Sequence, residues 1–69
     1  MVKVNELRGL MVARGYTQEQ LAKKMGISSR TLGTRFKKGI FQSDEMELLI
    51  KILEIKNPSY IFFSQEVAY

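Results

Sequence analysis

The sequence predicts an all-α domain in which four to five short helices pack compactly, and three observations carry that expectation. Apolar residues recur at three- and four-residue spacings through most of the chain. Hydroxyl side chains stand where helices would begin, at Thr17, Ser28 and Ser43. Glycines stand where they would end, at Gly15, Gly26 and Gly39.

The first helix is expected at about residues 3–14, with Val4, Leu7, Leu10 and Met11 on one face and Gly15 as the left-handed stop. Gly9 inside it costs about 1 kcal/mol relative to alanine. It reads either as an exposed, tolerated position or as room for a close helix approach. The second helix, about 18–25, has the clearest start. Thr17 and Gln20 have capping-box spacing, and Tyr16 with Leu21 flanks them as a hydrophobic staple. Leu21, Ala22 and Met25 face inward, and Gly26 ends the helix after two turns. Ser28 then caps a third helix at about 29–37, where Ile27 and Leu32 repeat the staple and Phe36 faces inward.

Residues 39–42 read as a loop. Ser43 is the expected cap of a fourth helix, about 44–55, with Asp44, Glu45 and Glu47 near its positive end. Met46, Leu49, Ile50 and Leu53 make its core face, while Leu48, Ile52 and Ile55 form a second apolar stripe. Asn57 and Pro58 stop it. Residues 59–63 have room for one short turn, and Ser64–Tyr69 reads as an extended tail.

With 69 residues the chain is one domain, 1–69, and marginal in size. It has no cysteine and no histidine, so thiolate metal clusters, disulfides and the commonest general base are absent. No nucleophile–base pair can be assembled, the carboxylates cluster at a helix start, and no phosphate-binding glycine loop occurs; an enzyme is not expected, nor a cofactor or metal. The absence of a long apolar run or a leader pattern predicts a cytoplasmic protein without a membrane or small-molecule partner. Charge is unevenly spread. Residues 1–42 carry nine basic against two acidic side chains, and residues 43–69 two basic against five acidic. A basic front suggests a polyanion approached from one side.

The stretch from Thr17 to Lys38 concentrates the signal. Two short helices joined through Gly26 and Ile27 cannot lie antiparallel, so the third presents its N-terminus and outer face to solvent. That face carries Ser29, Arg30, Gly33 and Thr34, the candidate base readers, followed by Lys37 and Lys38. Arginine can donate two parallel bonds to guanine, serine and threonine can bond several bases, and a threonine methyl can meet a thymine methyl. Gly33 suits either a close approach of backbone to DNA or a packing constraint. Gln18, Ser28, Lys37, Lys38 and Gln42 frame the helix as candidate phosphate contacts. Arg35 points less clearly toward DNA and reads as solvated.

Gln18-Glu19-Gln20-Leu21-Ala22-Lys23-Lys24-Met25-Gly26-Ile27-Ser28 resembles the helix-turn-helix of the Cro and lambda-repressor-like (XRE-type) superfamily. The glutamine, alanine and glycine at 18, 22 and 26 and the apolar residue at 32 match that pattern, over about residues 3–55. The stretch Pro58 to Val67, with Ile61-Phe62-Phe63, is similar to small Cro-like proteins of phages and prophages of Gram-positive bacteria. The resemblance implies a lambda-repressor-like fold and a sequence-specific transcription regulator, a phage Cro-like repressor at the nucleoid of a bacterial host cell. It implies base contacts from Ser29, Arg30 and Thr34 and a phosphate contact from Gln18. Two departures are the lack of a basic arm before the first helix and of a C-terminal oligomerisation domain.

Members of such a family usually pair to read two half-sites of double-stranded operator DNA. Leu48, Ile52, Ile55, Tyr60, Ile61, Phe62 and Phe63 are the candidates for that homodimer contact, unless the C-terminal segment folds back over them within one chain. The alternative is a protein-interaction module on the same fold, an antirepressor or antitoxin that binds a phage repressor or a toxin.

Overall fold

Caps and glycines set the helix boundaries of this computed structural model, which describes residues 2–63. Five α-helices follow in order: α1, Val4–Ala13; α2, Gln18–Met25; α3, Ser29–Lys38; α4, Ser43–Ile52; and α5, Pro58–Phe62. At the start of α2, Thr17 Oγ1 accepts from the Gln20 N–H at 3.1 Å and Gln20 Oε1 accepts from the Thr17 N–H at 3.0 Å. Both halves of the expected capping box therefore form. The helix ends at Gly26, whose φ of 79° lets the Ile27 N–H reach back to the Ala22 carbonyl at 3.0 Å. Because that closure uses so little chain, Ser28 can cap α3 at once, its Oγ accepting from the Thr31 N–H at 3.0 Å. Helices α2 and α3 pack on each other more extensively than any other pair.

The core is drawn from every helix. Leu7, Leu21, Leu32, Leu49 and Leu53 are its largest fully buried side chains, one each from α1, α2, α3 and α4 and one from the residue that caps α4. Ala22, beside Leu21 in α2, is part of the same buried cluster. Phe41, in the loop before α4, lies edge-on between Phe36 and Phe62, at centroid distances of 5.9 and 6.3 Å. Such pairs contribute about 0.5–1.5 kcal/mol each beyond burial, so this row ties α3 to α5. Gly9 has open space around the position of a Cβ, so it is exposed and tolerated rather than a close approach.

The fourth helix departs from expectation at both ends. Gln42, not Ser43, is its cap, and Glu45 Oε1 accepts from the Gln42 N–H at 2.8 Å. A Gln42–Glu45 box offers a carboxylate to the cap amide, which Ser43 in the same position could not receive from Glu45 at the right spacing. Ser43 instead occupies the first helical position. At the other end α4 stops at Ile52 rather than continuing to 55. Glu54 adopts a left-handed φ of 52°, and the Ile55 N–H turns back to the Ile50 carbonyl at 3.0 Å. Arg14 fixes this corner by donating from Nε to the Leu53 carbonyl at 2.9 Å.

That early stop redirects the apolar stripe. Ile55, Ile61 and Phe62 are buried in the single-chain core, with 7%, 5% and 3% of their surface exposed, so they are not available to pair two chains. The chain folds back through α5, and the Lys3 N–H donates to the Ile61 carbonyl at 2.7 Å, holding α5 against α1. The extended tail expected at Ser64–Tyr69 lies outside the described residues. No helix among the described residues is long and apolar enough to cross a membrane.

Candidate nucleic-acid interface

Helix α3 turns Leu32 and Phe36 into the core, which leaves the opposite face to solvent. Arg30, Thr34, Lys37 and Lys38 are exposed on it, and Ser29 and Gly33 are half-buried at its edge. The helix contains no acidic residue. Arg35, expected to be solvated, instead pairs with Glu45, which is buried at 5% exposure. The reason is geometric: as the third helical residue of α4, Glu45 turns back to its own cap and meets α3 there. Arg30, Lys37 and Lys38 are then the cations of α3 with no acidic partner among the described residues.

The sequence-predicted residues come together around this face, each with a different amount of free hydrogen-bonding capacity. Gln18, at the first position of α2, donates from Nε2 to the Ser29 carbonyl at 3.0 Å. Its amide therefore spans the two helices, with one N–H and the carbonyl oxygen left over. A Cβ placed on Gly33 would lie 2.9 Å from that same Nε2. The packing reason for a glycine at 33 is thus visible: the Gln18 amide occupies the space a side chain would need. Ser28, exposed at the cap, both accepts from the Thr31 N–H and donates to Thr31 Oγ1 at 2.8 Å. Thr34 donates from Oγ1 to the Arg30 carbonyl at 3.1 Å. The side chains of Ser29 and Arg30 make no hydrogen bond among the described residues.

Lys37 and Lys38 lie in the last turn of α3, where the helix dipole also favours positive charge, and Gly39 closes the helix with a φ of 68°. Ile40 follows, 66% exposed, and then Gln42, exposed at the start of α4. The N-terminal ends of α2 and α3, bridged by the Gln18 amide, thus stand at one end of the outward face of α3, and the Lys37–Lys38 pair at the other. Such an arrangement can neutralise phosphates on either side while the face between them meets base edges. No group of His, Cys, Asp or Glu among the described residues could hold a metal ion.

Two contacts of α3, one at its exposed start and one on its core side, were not singled out from the sequence. Thr31 shares the Ser28 hydroxyl, and the Ser28-x-x-Thr31 spacing, cap to third helical residue, is the signal that could have found it. Arg8 lies over the Phe36 ring at 4.5 Å from its centroid, a contact between α1 and α3 that local spacing cannot reveal. Of the apolar candidates elsewhere, Leu48, Tyr60 and Phe63 are exposed at 37%, 51% and 64%, and Ile52 is half-buried. Lys3 Nζ lies 5.0 Å from the centroid of the Tyr60 ring.

A family model described as helix-turn-helix matches residues 7–60, most of the chain and all of α2 and α3. No curated protein and no solved structure gives a significant match.

Proposed function

The chain belongs to the helix-turn-helix family, within the Cro and lambda-repressor-like superfamily, and from that membership we propose that it is a phage Cro-like repressor reading operator half-sites through α3. Membership carries the coarser statement, a DNA-binding transcription regulator of XRE type. In the proposed complex α3 lies in the major groove of double-stranded DNA. Arg30 and Ser29 offer their free donors to base edges, and Thr34 stands one turn further along. Lys37, Lys38 and Gln42 bond phosphates on one flank. Gln18, through its second N–H, and the first amides of α2 and the Ser28–Thr31 hydroxyl pair do so on the other. Gly33 keeps the helix surface low enough for close approach and gives Gln18 its place.

The observation that supports this reading best is the electrostatic one. Arg30, Lys37 and Lys38 point outward without acidic partners on a helix that has no acidic residue, whereas Arg35 is neutralised on the inner side. A merely solvated face has no need for that segregation. The test is a gel shift with duplex DNA from the promoter region of the protein's own gene against random duplex at moderate salt. Preference of at least about a thousandfold is expected; equal retardation of both would remove the operator-reading function.

Pairing of two chains is part of the proposal, since one such helix meets only a few base pairs. Of the side chains expected to pair chains, Leu48, Tyr60 and Phe63 are the ones with exposed apolar surface to contribute. The same exposure supports the second reading, a module that binds a phage repressor or a toxin. Tight binding to such a protein, together with no specific shift of DNA, would decide for it.

A further inference from the structure

Glu6, Leu10 and Arg14 line the α1 wall of a cleft of about 360 Å³ to which α2 and α3 contribute no residue. The other walls come from the α4–α5 corner and from α5, where Tyr60 is 51% exposed. Neither charge of the α1 wall is fully engaged within the chain. Glu6 is exposed and makes no ion pair among the described residues. Arg14 donates from Nε to the Leu53 carbonyl, and its terminal nitrogens make no hydrogen bond among the described residues. Leu10, midway between them, is half-buried.

Positions 6 and 14 lie four residues to either side of position 10, so acid and base exchange places on reversal about Leu10. Eight residues of helix span about 12 Å. Set antiparallel against a copy of itself, this wall puts each Glu6 opposite an Arg14 and the two Leu10 side chains together at the two-fold axis. A parallel pair would set acid against acid and base against base, which opposes association. Reading two half-sites calls for two chains, and resting on that reading we propose that the second copy of this chain docks on α1, antiparallel, in the cleft shared with α5. Tyr60 supplies apolar surface in the same cleft, and Phe63, three residues further along, extends it at the end of α5. Because α2 and α3 do not line the cleft, a copy seated there does not use the outward face of α3.

The test is sedimentation of the full chain without DNA, over a concentration series. Wild-type protein is expected to form a dimer that weakens as salt is raised. Glu6→Lys, which opposes like charges at both ends of the pair, should raise the dissociation constant about tenfold or more, and so should Arg14→Glu. An equimolar mixture of these two variants should associate about as well as wild type, since each mixed pair again sets acid against base. The chain has no cysteine, so Leu10→Cys gives a second reading. Mild oxidation should link it as a dimer, because two positions on the axis come within disulfide reach, and should not link Glu19→Cys on α2. Circular dichroism melting identifies any variant that fails to fold. Should Arg14→Glu be among them, because Arg14 also holds the Leu53 carbonyl, Glu6→Lys and Leu10→Cys decide alone. A chain that stays monomeric throughout overturns the proposal and the pairing with it. A dimer that Glu6→Lys does not weaken and Leu10→Cys does not link overturns the α1 assignment and leaves pairing to another face. No step contains DNA, so either failure is distinct from a failure of the gel shift.

Discussion

Arg35 Nε lies 3.0 and 3.1 Å from the two carboxylate oxygens of Glu45, so that one guanidinium nitrogen on α3 meets both oxygens of a carboxylate buried at the start of α4. Glu45 also accepts from the Gln42 N–H at 2.8 Å. One buried group thus fixes the cap of α4 and the inner side of the proposed recognition helix at once.

Removing Arg35 leaves Glu45 buried with its charge opposed only by a backbone amide. Arg35→Ala is expected to destabilise the domain by about 2–3 kcal/mol, at the low end for a broken buried pair because the Arg35 side chain is 28% exposed. Urea denaturation of Arg35→Ala, Glu45→Gln and the double variant gives the coupling. Additive effects within about 0.5 kcal/mol would mean that the two side chains do not act as a pair.

Gly33 and Gln18 should behave as a coupled unit. Alanine at an interior helix position normally gains about 1 kcal/mol over glycine. At Gly33 that gain is opposed, because the new Cβ would stand 2.9 Å from Gln18 Nε2 and push the amide off the Ser29 carbonyl. Gly33→Ala is therefore expected to stabilise by about 1 kcal/mol in a Gln18→Ala background and by less than half of that in the wild type. Equal gains in both backgrounds, measured by thermal denaturation, would show that Gln18 does not occupy that space.

Glu54 ends α4 in a left-handed conformation that costs a non-glycine residue about 1–2 kcal/mol. Its carboxylate is 4.0 Å from Arg14 Nε and 72% exposed, a contact too weak to offset that cost. Glu54→Gly should raise stability by about 0.5–1 kcal/mol, the strain relieved less the added freedom of the unfolded chain. A drop in melting temperature would mean that the side chain of Glu54, not the turn geometry, holds this corner.

Neighbouring phenylalanines in α5 and at its end should answer a charge differently. Phe62 is 3% exposed in the aromatic row with Phe41, so Phe62→Asp is expected to cost about 3 kcal/mol or more and leave the domain unfolded or nearly so. Phe63 is 64% exposed, so Phe63→Asp should fold with wild-type stability while lowering any self-association seen by analytical ultracentrifugation. If Phe63→Asp unfolds the chain, its surface belongs to the core rather than to pairing.

The parts of this fold that were legible in the sequence are those governed by local rules. Thr17 with Gln20, and Gly15, Gly26 and Gly39, placed α1, α2 and α3 to within a residue, because a cap or a left-handed glycine acts over only four or five residues. The buried stripes of Leu7, Leu21, Leu32 and Leu49 follow from helical spacing. What was not legible depends on distant partners. Glu45 looks like one more helix-start acid until α3 brings Arg35 to it. Ile55, Ile61 and Phe62 look like candidates for pairing two chains until Glu54, a residue with no left-handed preference, turns the chain and folds α5 back on α1. In the candidate interface the residue types could be read, but not which of their protons are already engaged. Thr34 and Gln18 each place a donor on a backbone carbonyl one turn or one helix away, at Arg30 and Ser29.

The most direct measurement compares Arg30→Ala with Lys37→Ala, each titrated over a range of salt on a duplex that the wild-type protein selects from a random-sequence pool and on random duplex. The expected result is that Arg30→Ala loses about 1–3 kcal/mol on the selected site and little on random DNA, whereas Lys37→Ala weakens both and lowers the salt slope by about one. Equal losses for Arg30→Ala on both duplexes, or no loss on either, would contradict the placement of the outer face of α3 against the bases.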